Sequence, residues 1–93
     1  MTSKKLSIEH LTFQATKIDV SNYILTITLN RPEKKNALNN VMMNEINYAL
    51  AYAKQERAIR VVIIAAEGDV FCAGADLNRK QEESNVPLSL IHI

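Results

Sequence analysis

A single cysteine, Cys72, stands in the 93 residues, so no internal disulfide can form and a disulfide-stapled secreted scaffold is excluded. An excess of either charge is also missing. Eleven Lys and Arg face ten Asp and Glu for a net charge of +1, which removes the electrostatic case for a nucleic acid or an anionic membrane surface as partner. No apolar run approaches the roughly eighteen residues of a membrane-spanning helix. The basic start, Met1-Thr-Ser-Lys-Lys5, leads into no apolar segment of the kind a secretory signal needs. Internal repeats and low-complexity tracts are absent as well. What remains is the composition of one small globular unit, and the cytoplasm is the expected compartment.

The hydrophobic period changes along the chain. Leu11, Phe13 and Ala15 alternate with Thr12, Gln14 and Thr16, which predicts a half-buried strand. Asp19-Val-Ser-Asn22 carries turn chemistry, and Leu25, Ile27 and Leu29 alternate with Thr26 and Thr28 in a second, β-branched strand. An antiparallel hairpin is the economical pairing. Asn30-Arg-Pro32 ends it, because proline brings no N–H to a ladder. From about Asn40 to Arg57 the period becomes helical, with Met43, Ile46, Leu50 and Ala53 as the apolar stripe and Asn39 or Asn40 as N-cap. Val61-Val-Ile-Ile64 shows no alternation, which predicts a strand over about Arg60–Ala65, buried on both faces and parallel to a hairpin strand. The helix is long enough for the crossover that such a pairing requires.

A loop carrying Phe71-Cys-Ala-Gly-Ala-Asp-Leu77 follows that strand. Ligands in open α/β sheets collect outside the carboxyl ends of strands. Gly74 lets the backbone turn tightly and lets a ligand approach closely. If Ala75 to Lys80 begins a helix, the Ala75 N–H is an unsatisfied donor suited to an oxygen that gains charge during reaction. A small-residue loop of this kind is, taken alone, more often only a packing turn. Cys72 has no His or Asp at a motif spacing and reads as a small buried hydrophobe. His10, in the first strand, has no ligand partners, and Met42 and Met43 read as helix-face packing.

Leu29-Asn-Arg-Pro-Glu-Lys-Lys-Asn-Ala-Leu38, the helix, Arg60-Val-Val-Ile-Ile64 and Phe71-Cys-Ala-Gly-Ala-Asp-Leu77 together resemble, in order and spacing, the crotonase (enoyl-CoA hydratase/isomerase) family over roughly Val20 to Asn78. The resemblance implies an α/β chain, hairpin–helix–parallel strand, forming the amino-terminal part of the spiral ClpP/crotonase fold over residues 1–87. It implies an acyl-CoA thioester as substrate, with coenzyme A entering as part of it, no other cofactor and no metal. Ala75 matches the first of two backbone donors of an oxyanion hole, and Gly74 keeps its turn open. Lys35, Ala37, Ala73, Asp76, Leu77 and Asn78 match positions along the CoA ester, with Asp76 also placed to cap a helix start. Asn78 departs from the lysine that several relatives carry near the adenine. The second donor and the catalytic glutamates lie downstream in the family, which implies no turnover by these residues alone. Complete members form trimers or hexamers. A non-catalytic relative that binds CoA esters or a protein is the alternative, as is a small stand-alone interaction domain.

The end, Leu88-Ser-Leu-Ile-His-Ile93, leaves the family pattern and is the translation of CTGTCTCTTATACACATC, the mosaic end of transposase-based sequencing libraries. Residues 88–93 are accordingly expected to be an adapter-derived tail on a truncated reading frame. Re-sequencing the locus checks this: native codons should replace the adapter after Pro87, and a genuine stop codon following Ile93 in adapter-free reads would defeat the expectation.

Overall fold

The computed structural model describes residues 6–9 and 11–75. The chain runs β1 (Thr16–Ser21), β2 (Ile24–Leu29), a single 3₁₀ turn (Pro32–Lys34), α1 (Asn40–Gln55) and β3 (Val61–Ala66). The three strands form one sheet in the order β1-β2-β3. Central β2 pairs antiparallel with β1, from Thr16↔Leu29 to Ser21↔Ile24, and parallel with β3, from Ile24↔Val61 to Leu29↔Ala66. This is the hairpin, helix and parallel strand that the periods predict.

The hairpin differs from expectation in position. Its loop is Asn22-Tyr23, both with positive φ (53° and 68°), the two-residue geometry whose twist matches that of the strands. Asp19 is therefore a ladder residue, opposite Thr26, and not part of the turn. The Arg60 guanidinium lies 5.6 Å from the Tyr23 ring centre, and the Arg60 N–H donates to the Tyr23 carbonyl at 2.8 Å. The hairpin loop thus also starts the parallel ladder.

Residues 11–15 keep the expected alternation of burial, with Ala15 buried and Gln14 exposed, yet they belong to no strand. Their N–H groups have another partner. The Glu45 carboxyl group, fully buried on α1, accepts from the Gln14 N–H (2.6 Å), the Ala15 N–H (3.0 Å) and the Thr16 hydroxyl (2.8 Å). Tyr48 and Gln55 continue this row along the same side of the helix: the Tyr48 hydroxyl donates to the Ser7 carbonyl at 2.8 Å, and the Leu6 N–H donates to Gln55 Oε1 at 3.1 Å. A side-chain rail on α1 replaces a fourth strand.

Asn39 is the N-cap of α1, its side chain accepting from the Met42 N–H at 2.8 Å. The helix ends at Gln55, two residues short of Arg57, where Glu56 turns extended. Its buried face carries Val41, Met42, Glu45, Tyr48 and Ala49, whereas Met43 and Leu50 of the expected stripe are 41 % and 40 % exposed. Apolar residues occur nearly all round this helix, so spacing alone left its rotation open. The partners of Glu45 settle it. Leu25, Ile27 and Leu29 on one face of β2 pack under Met42, Ile46 and Ala49, in two adjoining clusters.

β3 also departs from expectation. Val61, Val62, Ile63 and Ile64 are 49 %, 37 %, 44 % and 46 % exposed, so the strand is not buried on both faces. It lies at the edge of the sheet while α1 lies over β1 and β2, and among the described residues nothing covers its outer part.

Replacing Glu45 by alanine strands three donors at once, two of them buried. Glu45→Ala should cost about 3 kcal/mol, read from the midpoint of a urea melt, against less than about 0.5 kcal/mol for the exposed Met43→Lys. Equal midpoints for the two variants would contradict the rail.

Candidate functional site

Parallel neighbours end at the same edge of a sheet, so the segments that leave them emerge side by side. Leu29 at the end of β2 pairs with Ala66 at the end of β3, and the Glu67 N–H extends the ladder to the Leu29 carbonyl at 2.9 Å. The segments after the two strands, residues 30–38 and 67–75, carry the sequence-predicted site and meet at that edge.

The first segment is wound tightly. After the 3₁₀ turn, Lys35 and Asn36 both adopt left-handed backbone (φ 52° and 56°), a conformation that asparagine tolerates better than most residues. The Arg31 Nη1 donates to the Ala37 carbonyl at 2.6 Å and closes the turn from outside. Asn36 closes it from inside, fully buried, with Oδ1 accepting from the Arg31 N–H at 2.8 Å.

The second segment is laid onto the first by backbone bonds. The Ala73 N–H donates to the Lys35 carbonyl at 3.0 Å, and the Leu38 N–H donates to the Gly74 carbonyl at 2.8 Å. Leu38 and Ala75 form an isolated parallel bridge. No peptide bond among the described residues is cis, so the Gly74 carbonyl and the Ala75 N–H point in opposite directions across one planar unit. With that carbonyl turned toward Leu38, the Ala75 N–H faces away from the turn. Ala75 is exposed, and among the described residues no group accepts from its N–H. The result is an open, oriented backbone donor.

The two glycines serve different needs. Gly68 has φ +85°, and a Cβ there would sit 2.9 Å from Pro32 Cβ, so glycine lets the two segments touch. Gly74 has φ +105° with nothing within 4 Å of a built Cβ, which leaves open space beside the donor. Cys72 packs against the cluster of Ala15, Leu29, Val41 and Met42, the small-hydrophobe part expected of it, and its Sγ accepts from the Gly74 N–H at 3.4 Å.

The fold thus brings together Lys35, Ala37, Ala73, Gly74 and Ala75. The exposed Lys35 also lines an open depression with Pro32, Glu67, Asp69 and Val70, so two carboxyl-bearing residues share the surface of the expected phosphate-facing cation. Asp76, Leu77 and Asn78, the helix expected to continue from Ala75, His10 and the 88–93 tail lie outside the described residues. Gly68 escaped sequence reasoning as a site residue, and Asn36, expected only along the CoA ester beside Lys35 and Ala37, was not expected to hold the two segments together. Their signals were an asparagine after Lys35 in a turn, and a glycine beyond an apolar run.

A sequence model of the enoyl-CoA hydratase/isomerase family matches residues 19–89. Among individual proteins, the chain is 37 % identical over 73 residues to a "Probable enoyl-CoA hydratase" of Mycobacterium leprae, covering 75 % of this chain and 30 % of that protein. It is 42 % identical over 64 residues to "Enoyl-CoA hydratase domain-containing protein 2, mitochondrial" of Mus musculus, covering 68 % and 22 %. The crystal structure of a probable enoyl-CoA hydratase from Mycobacterium smegmatis superposes with a TM-score of 0.67 at 36 % identity, over 74 % of this chain and 28 % of that one. The chain spans less than a third of the length of each of these three relatives.

The contrast between the glycines is measurable. Gly68→Ala adds a clash with the Pro32 Cβ to left-handed strain and should lower stability by about 2–4 kcal/mol. Gly74→Ala bears strain alone and should cost about 1–2 kcal/mol. Thermal melts giving the reverse order would contradict the close approach of Gly68 to Pro32.

Proposed function

The chain belongs to the enoyl-CoA hydratase/isomerase family, and from that premise we propose that it contributes one oxyanion donor and part of the ligand surface to an enzyme acting on acyl-CoA thioesters. The observation that carries this reading is the Gly74–Ala75 peptide, whose N–H is turned outward by the bond from Leu38. When water adds across the 2,3 double bond of an enoyl thioester, the electrons move onto the carbonyl oxygen as an enolate. Return of a proton to C2 then completes the addition. A fixed N–H aimed at that oxygen stabilises the enolate more than the ground state.

Ala75 supplies this donor, and Gly74 supplies the backbone conformation and the open space beside it. Lys35, Ala37 and Ala73 form the surface along which coenzyme A lies, joined in sequence by Asp76, Leu77 and Asn78. The Lys35 ammonium serves a phosphate as a flexible point charge rather than a two-pronged clamp. The second donor and the acid–base group that moves the proton are assigned, as in the family, to sequence downstream of these 93 residues. Without them the site forfeits about 2.7–4 kcal/mol of transition-state stabilisation, and the missing acid–base group costs a further factor of roughly 10²–10⁴. The 93 residues alone are therefore inactive.

One experiment with two arms tests this. In the first, purified 93-residue chain is assayed for hydration of a short 2-enoyl-CoA, and turnover stays at background. In the second, residues 20–78 replace the matching segment of the Mycobacterium smegmatis relative, with and without Ala75→Pro. The graft should hydrate the substrate, and Ala75→Pro should lower turnover by roughly 10²–10³-fold, with a thermal melt to confirm folding. Near-normal turnover in a folded Ala75→Pro graft would place the donor elsewhere. Activity of the free chain that disappears with Ala75→Pro would show that the chain needs no second half.

A further inference from the structure

We propose that Asn36 is the positioning residue of the Ala75 donor: one buried carboxamide sets the path of the loop that carries it. The inference rests on the functional reading above for what the donor does, but not for how the loop is held.

Asn36 is fully buried, and its side chain is committed on every side. Oδ1 accepts from the Arg31 N–H at 2.8 Å, while Nδ2 donates to the Glu67 carbonyl at 2.7 Å and to the Val70 carbonyl at 2.8 Å. The two Nδ2 protons therefore gather the first and fourth residues after β3 around a single nitrogen. On either side of Asn36 a backbone bond ties the rest of the loop, from Ala73 to the Lys35 carbonyl and from Leu38 to the Gly74 carbonyl. The second of these bonds fixes the peptide plane whose other end is the Ala75 N–H. The amide orientation follows from the network, since the reverse would press Oδ1 against two carbonyl oxygens.

Left-handed backbone at Asn36 (φ 56°) aims the side chain into this gap, and few residues reach that conformation cheaply. Aspartate can adopt it and has the same shape. Asn36→Asp keeps an acceptor for the Arg31 N–H but replaces the Nδ2 donor with an oxygen facing the Glu67 and Val70 carbonyls. The substitution thus breaks the hold on the loop while leaving the turn it sits in.

The test uses the ¹⁵N-labelled 93-residue chain as native protein, Asn36→Asp and Ile27→Val, the last a core change on β2 away from the loop. Amide hydrogen exchange is followed at Leu38 and Ala73, the two N–H groups that bond across the segments. In Asn36→Asp their exchange should rise roughly tenfold to a hundredfold relative to β2 amides, whereas in Ile27→Val all amides should shift together. Leu38 and Ala73 tracking the β2 amides in both variants would overturn the proposal. Should Asn36→Asp fail to fold, Asn36→Gly keeps the backbone conformation without a carboxyl group, and the same comparison applies. A second readout titrates butanoyl-CoA and the thioether S-butyl-CoA, which lacks the carbonyl, while following the Ala75 amide resonance. The thioester should move it more than the thioether in the native chain, and Asn36→Asp should abolish the difference. Equal shifts from the two ligands in the native chain, with loop exchange as expected, would overturn the oxyanion reading and leave the hold of Asn36 on the loop standing.

Discussion

Among the described residues, the candidate site depends on the parallel pairing of β2 with β3. An antiparallel partner would have sent its outgoing loop to the opposite end of the sheet. Parallel pairing, made possible by α1 as the crossover, places the segments after Leu29 and Ala66 at one edge, close enough to share backbone hydrogen bonds. A small sheet thereby converts two stretches more than thirty residues apart into one surface.

Juxtaposition alone does not orient a donor. Two loops lying together still carry many unpaired backbone groups, and a buried one costs about 1–3 kcal/mol unless it is satisfied. Here Asn36 satisfies Arg31, Glu67 and Val70, and the crossing bonds satisfy Leu38 and Ala73. The Ala75 N–H lacks an acceptor among the described residues because the planarity of its peptide turns it away from the group that binds its neighbour. An open donor is thus a by-product of satisfying the adjacent carbonyl. Glu45 applies the same logic to the segment before β1, collecting N–H groups that would otherwise need a further strand.

Much of this was legible in the sequence. The alternation through Leu25, Ile27 and Leu29, the helical run over about Asn40–Arg57 and the apolar block at Val61–Ile64 gave the elements and their order, because burial of apolar groups imposes a period on local sequence. The crotonase-like spacing of Asn36-Ala37-Leu38 and Ala73-Gly74-Ala75 pointed to the two segments that meet, for a related reason: Gly74 occupies a backbone conformation that other residues pay to enter. Two departures from the sequence pattern come from polar groups. The segment at Leu11–Ala15 looked like a strand because its burial alternates, and nothing local revealed that its N–H groups would be claimed by a glutamate some thirty residues away. The rotation of α1 was misjudged since a buried Glu45 scores as a solvent-facing residue until its partners are known.

By itself, then, the sequence determined the kinds of element, their order, the asparagine cap of α1 and the glycine-bearing loop of the family, all properties set by nearest neighbours in the chain. Tertiary structure decided which residues of α1 face inward, where β1 begins, how far β3 is covered, and the direction of the Ala75 N–H. The cover of β3 depends on which strands α1 lies over, and the others on hydrogen bonds between residues about thirty or more positions apart, such as Asn36 with Val70 and Glu45 with Ala15. A directional bond has no periodic trace in sequence, since its geometry exists only once both partners are in place.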